Sequence, residues 1–169
     1  MQRNILYRGK LAEKQTQNTL VTMYPQNRAK LFPNGWVNGY YVPERSETPF
    51  GVTKQIASII KTGDPKELTT GMWFDVDPDT VGEFTGVTDK NGEIVFEDDI
   101  ARIKYEGKTY VGIIQYDALG VFIFVARGFG WIPLFKLAAD EITQLSGHKL
   151  TAIEIIGNIY DNPELLQEV

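Results

Sequence analysis

The segment from residue 82 to residue 100 constrains the fold of this chain more than any other. It contains the dipeptide Asn91-Gly92, which is a strong signal for a β-hairpin because both central residues of a type I′ turn need positive φ. Apolar residues flank this dipeptide, and the acidic cluster Glu97-Asp98-Asp99 predicts a second turn before the next strand. The segment therefore predicts short strands that are joined by tight turns.

Short strands are predicted at regular intervals from residue 81 onward, with turns between them. The clearest of these strands cover residues 100–105, 109–116, 121–127 and 151–156. In the first, Ala101, Ile103 and Tyr105 share one face and Arg102 and Lys104 share the other, because side chains alternate along a strand. Short strands with this spacing are typical of a small barrel or a sandwich.

The first 80 residues are less regular. Strands are predicted over residues 5–10, 35–42, 55–62 and 72–76, with proline-containing loops between them. At the other end of the chain, Pro163 to Leu166 predicts a helical turn, with Asp161 or Asn162 as its cap. We therefore predict an α+β, mainly β protein. An irregular strand-rich part covers residues 1–80, a small β-barrel covers residues 81–169, and the segment 76–86 bridges the two.

The composition excludes several classes of protein. Apolar residues make up 43% of the 169 residues, which is enough for a hydrophobic core and argues against global disorder. The chain has no cysteine, which excludes disulfides, thiolate metal sites and a cysteine nucleophile. No apolar run has the length of a signal peptide or a membrane span, so we expect an intracellular protein without a membrane partner.

The charge of the chain is unevenly distributed. The net charge is −5, but residues 1–30 carry +5, so the remaining 139 residues carry −10. An acidic body makes broad nucleic-acid binding less favourable, because contacts to phosphates need clustered lysine and arginine. The basic start leaves one alternative open, a nucleic-acid-binding regulator that uses an N-terminal arm. The arm residues would be Arg3, Arg8, Lys10 and Lys14.

Three blocks of sequence stand in a characteristic order. The first is Tyr7-Arg8-Gly9-Lys10 with residues 35–41, the second runs from Val76 through Asp89-Lys90-Asn91-Gly92 to Ile100, and the third covers residues 153–165. Together they resemble the YopX family, whose members are found in bacteriophage and prophage genomes. The chain has Asp98 where the family pattern usually has glycine, and aspartate also tolerates turn geometry.

The resemblance implies a mostly β fold with an SH3-like barrel in the C-terminal part. It carries no catalytic or binding residue onto this chain. The function that we expect is that of a phage or prophage accessory protein in the cytoplasm of a bacterial host. Such a protein would act by binding or self-assembly rather than by catalysis, and it would need no cofactor. The predicted partners are further copies of the chain, or a host or phage protein.

Two motifs suggest chemistry but have simpler explanations. Asp75, Asp77 and Asp79 have the spacing of the first ligands of an EF-hand, but Thr80 and Gly86 stand where that loop needs Gly and Glu. Three carboxylates along one edge also protect a sheet against aggregation, so we predict no metal site. His148 lies near Ser146, but catalytic dyads are assembled from separated positions. We therefore predict an exposed turn at His148 and no catalytic residue.

Aromatic residues are the better indication of a binding site. The C-terminal half is rich in them, and most are expected in the core. Several on one exposed groove would bind a peptide or a single-stranded nucleic acid by stacking. The acidic character of this half favours a protein. The candidate binding residues are Tyr105, Tyr110, Tyr116, Phe129, Trp131 and Tyr160.

Overall fold

The computed structural model describes residues 6–12, 32–42, 47–48, 51–52, 55–58, 72–137, 148–149 and 152–167. The chain divides into two compact units, residues 1–83 and residues 84–169. The sequence predicted a boundary after residue 80. The division into two separate domains stays a prediction.

The first unit is built on an antiparallel sheet. Its strands are β1 (Leu6–Lys10), β2 (Trp36–Val42), β3 (Glu47–Thr48), β4 (Gly51–Val52), β5 (Gln55–Ser58) and β6 (Met72–Asp75). The order β1-β2-β5-β6 forms the sheet, and β3 and β4 form a separate two-stranded ladder. Gly82 and Glu83, the first residues of β7 (Gly82–Thr88), pair with β1. Residues 59–62 of the predicted strand 55–62 lie outside the described residues.

A small core holds the described part of this unit together. It contains Leu11, Phe32, Val37 and Val76, and Tyr7 and Val81 pack against it. A bridge joins Leu11 to Val76. The buried hydroxyl of Thr80, in a 3-10 helix of residues 78–80, accepts a hydrogen bond of 2.8 Å from the backbone N–H of Lys10.

The second unit contains a five-stranded antiparallel sheet. Its strands are β9 (Asp99–Tyr105), β10 (Lys108–Tyr116), β11 (Phe122–Ala126), β12 (Gly130–Pro133) and β14 (Ile153–Asn158), in the order β12-β11-β10-β9-β14. Strand β8 (Ile94–Phe96) pairs antiparallel with β7, and β13 (His148–Lys149) pairs parallel with it. The short helix α1 (Leu134–Leu137) follows β12, and a 3-10 helix covers residues 163–166.

One face of the five-stranded sheet forms the core of this unit. The core residues are Val95, Ala101, Ile103, Ile114, Phe124, Ala126, Ile132, Leu134, Leu137 and Ile153. In β9, Ala101 and Ile103 are buried and Arg102 and Lys104 are exposed, which confirms the predicted alternation. The predicted mainly β fold is also confirmed, whereas the SH3-like form of the C-terminal part stays a prediction.

Two local predictions were wrong, and one short helix was not predicted. Asn91-Gly92 does not form a type I′ turn, because only Gly92 has positive φ (89°) among these residues. Positive φ at two consecutive residues occurs instead at Asn34-Gly35, before β2, and at Glu106-Gly107, between Tyr105 and Lys108. His148 lies in strand β13 rather than in a turn. Helix α1 was not predicted, because its four residues are too few to show a helical period.

Candidate functional site

The loop between β7 and β8 is organised around the carboxylate of Asp89. This side chain is completely buried. Its Oδ1 accepts hydrogen bonds from the backbone N–H groups of Asn91 (2.7 Å) and Glu93 (2.9 Å). Its Oδ2 accepts one from the backbone N–H of Ile155 in β14 (3.0 Å). A single carboxylate therefore closes the loop and also attaches it to a strand that is distant in the sequence.

The protonation of Asp89 follows from these contacts. Burial raises the pKa of the carboxyl, but the hydrogen bonds from Ile155, Glu93 and Asn91 to the charged form outweigh it, so the pKa lies below its usual value. Asp89 is therefore ionised at neutral pH. An ionised carboxylate that accepts several backbone hydrogen bonds is a strong structural element.

The next turn, Glu97-Asp98, is held by the end of the chain. Asp98 has φ of 66°, in the left-handed region that favours glycine and that aspartate tolerates. Its side chain accepts a hydrogen bond of 2.7 Å from the hydroxyl of Tyr160, and its carbonyl accepts one of 3.1 Å from the N–H of Ile159. The turn that the sequence indicated therefore forms without the glycine.

A further turn follows β14 and is closed by Asn158. Its side-chain oxygen accepts hydrogen bonds from the N–H groups of Tyr160 (3.0 Å) and Asp161 (2.9 Å). Its carbonyl accepts one from the N–H of Asn162 (3.0 Å), which precedes the last 3-10 helix. Asn162 is the N-cap residue of this helix, although its side chain makes no capping hydrogen bond.

The second and third sequence blocks thus meet in one place, which we call the signature joint. It consists of Asp89, Asp98, Asn158 and Tyr160 with their hydrogen-bond partners. Lys90 adds a backbone hydrogen bond to the carbonyl of Ile153 (3.0 Å) and an ion pair with Glu154 (3.1 Å). The hydrogen bonds of the signature joint connect parts of the chain to one another, so each of its four residues has a structural role.

The predicted aromatic residues do not form one groove. Tyr105, Tyr110 and Phe129 pack together, with ring centroids 5.5 Å apart for Tyr105–Phe129 and 4.7 Å for Tyr110–Phe129. All three are partly buried against the core. Tyr160 belongs to the signature joint. These four side chains therefore all make contacts within the chain, and their binding role stays a prediction.

Tyr116 and Trp131 are the two predicted residues that are well exposed. Tyr116 is 52% exposed and Trp131 is 59% exposed. Tyr116 makes an edge contact with Phe122, its cross-strand neighbour, at 4.9 Å between centroids. It shares the side of β10 that carries the core residue Ile114. Trp131 alternates with the core residue Ile132 and so points to the opposite, outer side of the sheet.

An apolar row crosses this outer side. Trp131 in β12 is paired with Val125 in β11, Val125 with Ile113 in β10, and Ile113 with Ile100 in β9. Pro133 lies on the same side of β12 as Trp131. Val125, Ile113 and Pro133 are half-buried, and Ile100 is completely buried. We call the surface of Trp131, Pro133, Val125 and Ile113 the Trp131 face.

The charged residues on the outer side of β9 and in the chain on either side of Trp131 are mainly positive. On the outer side of β9, Arg102 and Lys104 are exposed. Glu154 in β14 opposes Arg102, and it is bound by both Arg102 (3.3 Å) and Lys90 (3.1 Å), which hold the pKa of its carboxyl below the usual value. No acidic residue occurs from position 118 to position 139, a stretch that contains Arg127 and Lys136. Both of these cations are exposed.

Comparison with known proteins places the chain in a family. The family model described as YopX protein matches residues 43–167. The chain belongs to the YopX family. The match includes all of the signature joint and the Trp131 face, whereas the first sequence block, residues 7–10 with residues 35–41, lies before it.

Two further comparisons add little to this assignment. The crystal structure of protein EF1440 from Enterococcus faecalis is 23% identical and covers 75% of this chain and 87% of that chain, with a TM-score of 0.39. A TM-score at that level carries no argument about fold or function. No curated protein matches the chain.

The structure describes two of the four basic residues that were predicted to form an arm. Arg8 and Lys10 lie in β1, whose strand partners are β2 and β7. The guanidinium of Arg8 lies 4.9 Å from the ring centre of Trp36, and the amine of Lys10 lies 5.9 Å from it. Arg8 is largely buried, so it belongs to a sheet rather than to an extended arm. Arg3 and Lys14 lie outside the described residues.

The three aspartates at positions 75, 77 and 79 lie at the end of β6 and at the start of the 3-10 helix that follows it. The backbone of Asp75 ends β6. The side chain of Asp77 caps the next 3-10 helix by accepting a hydrogen bond of 3.1 Å from the N–H of Asp79. Within the described part of the chain, no group of three or more His, Cys, Asp or Glu side chains could hold a metal ion. No described helix is long and apolar enough to cross a membrane.

The sequence reasoning missed the role of Asp89 in this YopX-family chain. A usable signal was present, because an aspartate two residues before Asn91 and three before Gly92 is typical of an Asx turn. The contact of Asp89 with Ile155 spans 66 positions, and no local pattern could show it. The selection of Trp131 among the exposed aromatics also required the strand register.

Proposed function

We propose that this protein is a bacteriophage or prophage accessory protein of the bacterial cytoplasm, and that it acts by binding another protein through the Trp131 face. The observation that carries the proposal is a tryptophan 59% exposed at the end of an apolar row on the outer side of a sheet. Tryptophan is among the residues that contribute most to binding energy at protein interfaces.

The surroundings of Trp131 support a binding role. Its strand, β12, is at the edge of the sheet and is supported on its inner side by Ile132, a core residue. The side chain is therefore presented by a rigid element, which reduces the entropy lost on binding. Phe135, four positions after Trp131, is a further exposed apolar residue.

Site-specific photo-crosslinking tests the proposal. A photoreactive phenylalanine derivative replaces Trp131 in one variant and Tyr116 in a second, and both are irradiated in the bacterial cells that express them. The two positions are matched because both carry exposed aromatics in the same sheet but on opposite sides. We expect protein adducts from position 131 at a yield several times that from position 116.

Three results would contradict the proposal. Equal yields from the two positions would mean that the Trp131 face has no special role. A higher yield from position 116 would move the binding site to the other side of the sheet. Adducts at position 131 that nuclease digestion removes would show a nucleic-acid partner, in favour of the regulator considered as the alternative.

The predicted homo-oligomer is tested separately by the mass of the purified protein. Light scattering at low and high salt gives the mass, and absorbance at 260 and 280 nm shows any nucleic acid. We expect an oligomer free of nucleic acid. A monomer that carries nucleic acid removable by salt would favour the alternative function.

A further inference from the structure

We infer that the Trp131 face binds an acidic segment of a partner protein that presents apolar side chains between its carboxylates. This inference rests on the proposed function and specifies the chemistry of the partner. An apolar centre matches the apolar side chains of such a segment, and the mainly positive charges match its carboxylates. Each of these features is a property of the outer side of the five-stranded sheet or of the chain next to β12.

The apolar centre sets the first requirement on the partner. Trp131, Val125 and Ile113 occupy one register row on three adjacent strands. Trp131 is exposed and the other two are half-buried, so the accessible apolar surface of the row runs across the strands from Trp131. A segment that covers this row must bring apolar side chains of its own, since apolar area removed from water is the main source of affinity.

The charges set the second requirement. The outer side of β9 carries Arg102 and Lys104. The acidic residue opposite Arg102 is Glu154, and it is already bound to two cations. Along the chain, Arg127 and Lys136 flank Trp131, and no acidic residue lies between positions 118 and 139. This local distribution has the opposite sign to the net charge of −5 of the whole chain, and carboxylates are the groups that complement it.

The same charges argue against a second copy of this chain on this face. In a two-fold symmetric contact each patch meets its own copy, so the cations of one face would oppose those of the other. Like charges that oppose each other across an interface are unfavourable. A nucleic acid would also satisfy the cations, but beside Trp131 the face offers only the aliphatic side chains of Val125 and Ile113, on which further bases could not stack.

Binding to short labelled peptides, measured by fluorescence anisotropy with the full chain, tests the inference. The first peptide alternates aspartate and glutamate with leucine and phenylalanine. In the second, asparagine and glutamine replace the acids; in the third, lysine replaces them; in the fourth, serine replaces the apolar residues. A labelled single-stranded oligonucleotide is the fifth probe. We expect the first peptide to bind about fivefold tighter than the second at low salt, a modest factor because exposed ion pairs are weak.

Two sets of variants assign the two requirements to residues. Trp131→Ala is expected to weaken binding of the acidic apolar peptide by about tenfold or more. Tyr116→Ala is expected to leave that affinity unchanged. The double variant Arg127→Gln, Lys136→Gln is expected to remove the preference for acids and to leave the neutral peptide unaffected. Lys108→Gln, an exposed cation at the far end of β10, is the matched control and is expected to change nothing.

Several outcomes overturn the inference. If the neutral peptide binds as tightly as the acidic one and Trp131→Ala weakens both, the Trp131 face is a binding surface but its partner is not acidic, so only this inference fails. If the lysine peptide or the oligonucleotide binds more tightly than the acidic peptide, the partner is a basic segment or a nucleic acid and the inference is wrong. Lack of binding by every peptide also overturns the inference, and the crosslinking yields at position 131 then decide whether the proposed function stands.

Discussion

Two loops of the second unit share one local design and differ in their tertiary role. In each, an aspartate is followed after two residues by a glycine: Asp89 to Gly92 between β7 and β8, and Asp117 to Gly120 between β10 and β11. The N–H of the glycine donates to the carbonyl of the aspartate at 3.0 Å and 2.9 Å, respectively. The N–H of the aspartate donates to the carbonyl of the residue after the glycine at 2.8 Å in both.

The side chains of the two aspartates also begin alike. Asp89 accepts from the N–H of Asn91, and Asp117 accepts from the N–H of Leu119, at 2.7 Å in both cases. Beyond this they differ. Asp89 is completely buried and also accepts from Ile155, whereas Asp117 is half-buried. The local sequence therefore forms the loop, and contact with a neighbouring strand sets how much stability its aspartate contributes.

The largest expected effect separates the two aspartates. Asp89→Ala removes the buried carboxylate that accepts from the N–H groups of Asn91, Glu93 and Ile155, and each donor that is left unsatisfied away from water costs about 1–3 kcal/mol. We expect the free energy of unfolding to fall by at least about 3 kcal/mol. For Asp117→Ala we expect a loss of about 0.5 kcal/mol, because water can replace a half-exposed acceptor. Urea unfolding followed by circular dichroism measures both, and equal losses would contradict the comparison.

The charge of Asp89 provides the second test. Asp89→Asn keeps one oxygen but places an NH₂ group against an N–H donor, so we expect a loss of about 2 kcal/mol at pH 7. The pKa of Asp89 is below the ordinary value of 3.8 in the folded state. Its contribution is therefore present above pH 3.8 and is lost as the pH falls through the lower folded value.

The stabilities of the wild type and of Asp89→Asn should consequently converge as the pH decreases below 3.8. Unfolding of both proteins over a pH series measures this difference, and other carboxylates affect both proteins equally. A difference that stays constant down to the lowest pH at which both fold would mean that the ionised form of Asp89 is not the stabilising one.

The third test concerns what the loops have in common. Gly92 has φ of 89° and Gly120 has φ of 81°, and left-handed backbone costs a residue with a Cβ about 1–2 kcal/mol. An added Cβ meets no atom within 4 Å at Gly92 and only the hydroxyl of Tyr116, at 3.6 Å, at Gly120. We expect Gly92→Ala and Gly120→Ala to be destabilised by similar amounts in thermal unfolding. A much larger loss at one site would show that the loops are not locally equivalent.

The smallest expected effect concerns the charged contacts of Glu154. Lys90 follows Asp89 and binds Glu154, whereas the corresponding residue of the other loop is Ala118. Glu154→Gln should lower stability much less than Asp89→Ala does, because exposed ion pairs contribute little. The loss should diminish further at high salt. Thermal unfolding at two salt concentrations checks this. A loss of stability as large as that of Asp89→Ala would mean that Glu154 contributes most to attaching the loop to β14.

The two exposed aromatics offer a parallel comparison for function. Tyr116 and Trp131 are both predicted binding residues, and both are more than half exposed. Strand alternation puts them on opposite sides of the sheet, and only the side of Trp131 combines the apolar row with the outward Arg102 and Lys104. The crosslinking and peptide experiments use this contrast, so that each aromatic is the control for the other.

The sequence alone determined the local features of this protein. The alternation of Ala101, Ile103 and their charged neighbours predicted β9 and its buried face, because that pattern depends only on the period of a strand. The turns around Gly92, Asp98 and Gly107 were likewise placed correctly, since turn residues act over three or four positions. The turn type at Asn91 was wrong, because the side chain of Asp89 stabilises a three-residue loop that the dipeptide rule does not consider.

The tertiary structure alone decided which of these residues matter for stability and which for binding. It buried Asp89 rather than Asp117 by placing β14 beside the first loop, 66 positions away along the chain. It packed Tyr105, Tyr110 and Phe129 together and left Trp131 exposed. Composition treats these aromatics alike, and their separation depends on strand order and register. Such long-range pairings follow from packing of the whole unit, which no window of sequence contains.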